Sequence, residues 1–291
     1  CYISDSVDQS VLNRMRKLIQ SIDVDALTMN IESLAECMFT HKWINPFPKF
    51  KYSERPDTAT AAILDGNIVI MVDNSPAVMI IPASIFDIIE EADDFNFSPM
   101  IGSYLRITRF FFSIVTWILT PLWLLFVNNP DWVPEFMKFV LITDDITVPV
   151  LLQLLILELA VDGLKLAAVN TPTMLSTPLS IVAGIVVGEY AVSSGWFNPE
   201  ALLYMAVVTV GTYGQTNFEM GYAFKFLRVL TLILTQIFNL GGFIAGVVIS
   251  VLMIAFNRTI TGKSYIYPLI PWDGKMLKRK VLRVRLPHSY K

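Results

Sequence analysis

Leu227–Phe256 reads LRVLTLILTQIFNLGGFIAGVVISVLMIAF, 30 residues whose sole charge is Arg228. At about 1.5 Å per residue, a continuous helix of that length runs roughly 45 Å, while about 20 residues suffice to cross a bilayer core. Gly241-Gly242 is the expected place for a bend or break. Thr231, Thr235, Asn239, Gly242, Gly246 and Ser250 recur at intervals of four or three, so they share one stripe of a helix. Such a stripe suits a water-lined pore wall, or dry helix–helix packing through small residues. Gln236 falls beside it.

Working outward, Phe110–Val127 is 18 residues without a charge, preceded by Arg106 and Arg109. Leu105–Val127 is therefore the first expected span, with Pro121 as a possible kink. Val148–Val169 is a second, interrupted by Glu158, Asp162 and Lys165, and Leu179–Phe197 a third, carrying Glu189. Ala201–Thr216 is shorter and reads as spanning, re-entrant or interfacial. Arg106, Arg109 and the cluster Lys275–Arg285 favour the cytoplasm, which calls for an even number of crossings.

The composition agrees. The 291 residues are 54% hydrophobic and 16% charged, with mean hydropathy +0.55, against roughly 25% charged in soluble domains. Residues 1–98 hold 7 Lys/Arg against 15 Asp/Glu, and residues 258–291 hold 9 Lys/Arg against Asp273 alone. The reading is an α-helical multi-pass membrane protein: a partial soluble α/β module over 1–98, four to six membrane segments over 99–257 and a basic cytoplasmic tail over 258–291. The formal charge of −3 argues against a nucleic-acid partner. Cys1 and Cys37 form no disulfide framework, and no cofactor or metal motif is present. The start at Cys1 rather than Met reads as the interior of a longer protein, a lipidated N-terminus being the other reading.

Within the front module, Val11, Leu12, Met15, Leu18, Ile19 and Ile22 fall at helical spacing, and Ala26–Phe39 reads as a second helix. Asp57 is expected to cap a helix running to Leu64. Asp65-Gly66 is a turn, Asn67–Val72 and Ala77–Ile81 form a β-hairpin, and Pro82 starts the next helix. Asp65, Asp73 and Asp87 read as turn and cap residues rather than metal ligands. The open hairpin edges suit subunit contacts.

Glu158 and Asp162 lie one helical turn apart with Lys165 three further on, so all three share a face. Ionisable residues inside a membrane usually face protein or a water cavity. They fit a cation pathway, in which carboxylates would repeat around a ring, or a structural salt bridge with Lys165 neutralising Asp162. Glu189 joins the candidates by its place inside a span. Gly184 and Gly188 add a weak small-residue packing pattern. No nucleophile–base pair favours an enzyme, and no internal repeat between 105–169 and 179–256 favours a transporter.

Glu54-Arg55-Pro56-Asp57, Leu64-Asp65-Gly66-Asn67 and Val72-Asp73-Asn74-Ser75-Pro76 together resemble the signature block of the spore germination GerA family, A-subunit type. Glu158-Leu159-Ala160, Gly184-Ile185-Val186-Val187-Gly188 and Ser264-Tyr265-Ile266-Tyr267-Pro268 fit the same family. Asp162 stands where germinant-receptor members tend to have Glu, and Gly163-Leu164-Lys165 where they have Leu-Arg-Glu. Those departures, with Val161–Leu164, Ala168–Pro172 and the tail, point to the sporulation branch. The resemblance implies a subunit of an oligomeric spore inner-membrane channel that releases monovalent cations in germination; a non-conducting scaffold for germination complexes is the alternative reading. It also implies a homo-oligomer with other germination membrane proteins as partners. The basic tail would meet anionic headgroups, each Lys/Arg there worth about 1 kcal/mol.

Overall fold

The computed structural model describes residues 1–38, 45–170 and 184–283. It is mostly helical with one three-stranded sheet. The chain divides into two compact units, one of residues 1–110, 216–220 and 251 onward, the other of 111–215 and 221–250.

In the first unit, α1 (Gln9–Gln20) starts where the Asp8 carboxylate accepts from the Ser10 amide, and it buries Val11, Leu12 and Met15. α2 (Asn30–Met38) buries Ile31, Leu34, Ala35 and Met38. The sheet has the order β1 (Lys51–Ser53), β3 (Val78–Ile81), β2 (Ile68–Ile70), both pairings antiparallel, with Lys51 opposite Ile80 and Ile68 opposite Ile81. Side chains alternate across a strand. Met79 and Ile81 therefore pack with Met15 and Leu34 on one face, while Ile80 packs with Val69 and Ala59 of α3 (Pro56–Leu64) on the other.

The expected hairpin is present, but its edges are not open. β1 fills one side of β3, and at β2 the Cys1 nitrogen donates to the Val69 carbonyl (2.6 Å) while the Val69 amide donates to the Cys1 carbonyl (2.9 Å). Asp57 is not a cap: it lies inside the first turn of α3, paired with Arg55. The following helix, α4 (Ile85–Ile89), begins not at Pro82 but after Ser84, whose hydroxyl and the Asp87 carboxylate form a capping box. Two carbonyls near the end of α4, of Asp87 and Glu90, accept from Lys51 Nζ at 2.7 Å each.

The basic segment does not stand apart as a tail over its described residues. Arg258 bridges to Ser264, Tyr265 is fully buried, its carbonyl accepts from the Ile85 amide, and α10 (Gly274–Val281) contacts α4. Lys280 Nζ lies 2.5 Å from Asp87 and 3.1 Å from Glu90.

α5 (Pro99–Asn128) continues through Pro121 and is long and apolar enough to cross a membrane. Two 3₁₀ turns, Pro130–Trp132 and Glu135–Val140, precede α6 (Val150–Asn170). Of the expected span Leu179–Phe197, residues 179–183 lie outside the described residues. The described part is π-helical over Ile185–Tyr190 and α-helical over Ala191–Ser193 (α7). α8 (Pro199–Tyr213) starts at Asn198, whose side chain and amide exchange hydrogen bonds with the buried Gln153 amide group. The second unit's core joins Trp123 and Leu124, Val150, Leu154 and Leu157, Ala201 and Met205, and Leu232.

α9 (Phe218–Ala255) also qualifies by length and composition, but it is not one straight rod. It breaks at Asn239 (φ 53°, ψ −128°), not at Gly241-Gly242. A Cβ added to Gly242 would overlap the Leu234 carbonyl, and one added to Gly246 would sit 2.9 Å from Thr231 Cα. The two legs therefore fold back on each other, and the glycines serve close approach. Asn tolerates positive φ better than most residues, and the Asn239 and Asn129 side-chain amides exchange hydrogen bonds at 2.6 and 2.9 Å.

Candidate functional site

Four ionisable side chains meet inside the second unit. α6 supplies Glu158 and Asp162 one turn apart, and the first leg of α9 supplies Lys225 and Arg228 three residues apart. Arg228 Nε donates to Glu158 Oε1 at 2.5 Å, and its Nη1 donates to the Thr116 carbonyl on α5. Lys225 Nζ pairs with Asp162 and also donates to the Glu158 carbonyl at 3.1 Å, with Glu158 Oε2 3.5 Å away. Glu158 and Arg228 are 4% and 2% exposed. Two acids thus face two bases, and the cluster is formally neutral. Burying charges is expensive, and mutual attraction offsets the expense only when the geometry is good and the remaining hydrogen-bonding positions are filled.

Lys165 does not pair with Asp162. Its ammonium lies over the rings of Tyr213 (5.1 Å) and Tyr222 (5.4 Å), an arrangement favoured by ring electrostatics. Lys225, reaching across from the facing helix, takes the place beside Asp162. Glu189 is exposed and outside the cluster.

The stripe on α9 is divided by the break at Asn239. Thr231 and Thr235 lie on the first leg, and Gly242, Gly246 and Ser250 on the second, all buried. The Thr231, Thr235 and Ser250 hydroxyls each donate to the carbonyl four residues back, at 2.7 Å. Asn239 is exposed at the turn. Sequence reasoning missed Lys225 and Arg228 as partners. The usable signal was complementarity: two acids one turn apart on one apolar run, two bases at helical spacing on another.

A second buried ion cluster lies in the first unit. Asp94, fully buried, receives both Arg109 Nη atoms at 2.7 Å and Arg106 Nε at 3.2 Å, and Arg106 Nη2 lies 2.6 Å from Glu90. Arg106 and Arg109, read from sequence as orientation markers, are thus also structural. Burial pulls the Lys280 pKa down, but Asp87 and Glu90 outweigh it and hold the group above the ordinary lysine range. Burial raises the Asp65 pKa, against the pull of Lys280 and Arg279 and with a push from Glu90 and Asp87. Among the described residues no three His, Cys, Asp or Glu side chains are placed to hold a metal ion.

The family profile described as Bacillus/Clostridium GerA spore germination protein matches residues 1–291. The chain is similar to stage V sporulation protein AF of Bacillus subtilis (strain 168), 35% identical over 287 residues, 99% of this chain and 58% of that protein. Spore germination protein GerLA of Bacillus cereus is 26% identical over 97% of this chain and 58% of its own length. Spore germination protein KA of Bacillus subtilis (strain 168) is 26% identical over 97% and 52%. The chain spans about half the length of the curated relatives it matches. No solved structure matches it.

Proposed function

The chain belongs to the GerA family of spore germination proteins, and from that premise we propose that it is the membrane part of an oligomeric subunit that passes monovalent cations across the spore inner membrane during germination. The observation that carries this reading is the buried Glu158–Asp162–Lys225–Arg228 cluster. A segment that only anchors a protein needs apolar surface. Ionisable groups deep among apolar helices are expensive, and they usually mark an ion or proton path.

In this reading the chain crosses the bilayer several times. The turn at Asn239 sends α9 back on itself, so the run contributes two passes rather than one and keeps an even count. The legs from Phe218 to Phe238 and from Leu240 to Ala255 are roughly 30 Å and 24 Å at about 1.5 Å per residue. The closed arrangement neutralises each carboxylate with a base from α9. Displacing that leg would leave Glu158 and Asp162 to passing cations, with a ring of subunits repeating them about an axis. Other germination membrane proteins are the expected partners, and exposed Lys275 and Lys278 suit anionic headgroups.

A second reading, a non-conducting scaffold, is favoured by the formal neutrality of the cluster and by hydroxyls satisfied within their own helix. Cation flux in liposomes, on the full-length protein with its natural partners, separates the two. Glu158→Gln should change cation flux and Thr235→Val should lower conductance, both with assembly intact by crosslinking. Normal flux from both assembled variants would remove these residues from the path.

A further inference from the structure

Phe136 and Phe139 are each 77% exposed, in the connection between α5 and α6. They belong to the 3₁₀ turn Glu135–Val140, where three residues per turn place positions i and i+3 on one face. Glu135 and Lys138, also three apart, pair at 3.4 Å on another face. Trp132, in the preceding 3₁₀ turn, is 51% exposed. The segment is not loose. Val133 is buried, Val140 packs on the second unit's core, and the Val140 carbonyl accepts from Trp123 Nε1 at 2.8 Å. A rigidly held turn thus presents two phenyl rings outward, backed by a charged pair.

We propose that this turn is an interfacial membrane anchor, with Trp132, Phe136 and Phe139 inserted among lipid headgroups and upper acyl chains. The inference rests on the membrane reading above. Continuity names the occupant. The turn starts seven residues after the apolar helix α5 ends at Asn128 and ends ten residues before α6 begins at Val150, so it lies near the level where two crossing helices leave the hydrocarbon. Aromatic side chains with an apolar body suit that level. The connection also carries Asp131, Glu135, Asp144 and Asp145 against Lys138 alone. Attraction to anionic lipid therefore plays no part: the anchor works on zwitterionic lipid and is insensitive to salt.

Spin labels test this on the full chain in phosphatidylcholine vesicles, with Cys1 and Cys37 replaced by serine. Labels go on Phe136→Cys and Phe139→Cys, with Glu135→Cys as the expected water-facing site and Leu159→Cys, exposed midway along α6, as the expected deep site. The expected result is that labels at 136 and 139 are shielded from a water-soluble nickel relaxant and open to oxygen. Their depth should be shallower than at 159 and unchanged by added salt or anionic lipid. Nickel access at 136 and 139 equal to that at 135, with 159 still deep, would overturn the anchor and leave the membrane reading standing. Nickel access at 159 as well would overturn both. Labels at 136 and 139 shielded from oxygen and nickel alike would mean a protein surface covers the turn, and would also overturn the anchor.

Discussion

Asp94 and Glu158 are both buried carboxylates held by arginine, but they reach their partners by opposite routes. Asp94 pairs with Arg106 and Arg109, 12 and 15 residues along the same stretch of chain. Glu158 pairs with Arg228, 70 residues away on another helix. The first cluster forms once the turn before α5 and the start of that helix are in place. The second exists only when α6 and α9 are docked in the right rotation and register. A local ion cluster fixes where a helix begins, whereas a long-range one reports on tertiary arrangement, which is why the second is the better candidate for a moving part.

The largest effect should come from breaking the long-range cluster. Arg228→Met leaves Glu158 buried without its guanidinium and should destabilise the fold by about 3–5 kcal/mol, measured by thermal unfolding in detergent. Adding Glu158→Gln to it should recover much of the loss. A single-variant loss below about 1 kcal/mol would mean that other groups hold Glu158. Asp94→Asn should fall at the lower end of the same range, because Arg109 keeps 17% exposure and can turn to water.

Next comes a buried cation that reaches uncharged oxygens and an aromatic ring. Lys49 Nζ donates to the Asn257 side chain and to the Arg258 carbonyl, and lies over the Tyr265 ring. Burial lowers its pKa to about 8, below the ordinary lysine value. Between the two values the unfolded chain binds a proton that the folded chain does not. Stability from this group therefore rises with pH from about 8 to about 10.5, and below pH 8 the burial penalty is fully present. Lys49→Met should flatten the pH dependence of the melting temperature. An unchanged slope would exclude Lys49 as its source.

The hairpin gives a smaller and sharper contrast between neighbours. Gly242→Ala should cost about 1–3 kcal/mol by overpacking, since its Cβ meets the Leu234 backbone. Gly241→Ala meets nothing within 4 Å and should be neutral or slightly stabilising. Equal melting temperatures for the two variants would mean that Gly242 does not pack against the first leg. Smallest of all, Asp8→Asn removes an exposed pair with Lys263, although that lysine holds the Asp8 carboxyl below its usual range. The change should stay within about 0.5 kcal/mol and shrink as salt is added.

The sequence by itself determined the apolar runs, the helix–turn–strand order of the front module and the face shared by Glu158 and Asp162. These follow from periodicity and turn chemistry, which act over a few residues. It also carried the family resemblance, spread over blocks along nearly the whole chain. The third strand, Lys51–Ser53, was missed because three half-buried residues after a proline-rich loop give no alternation to read. The break was assigned to Gly241-Gly242 because glycine marks bends. The structure instead uses Asn239 for the turn and Gly242 for contact, a choice set by the second leg and by Asn129. The partner of Asp162, the pairing of Lys280 with Asp87 and Glu90, and the burial of Tyr265 were likewise decided only in three dimensions. Periodicity tells which side chains share a face, but which face of which helix meets it depends on the rotation and register of elements tens of residues apart.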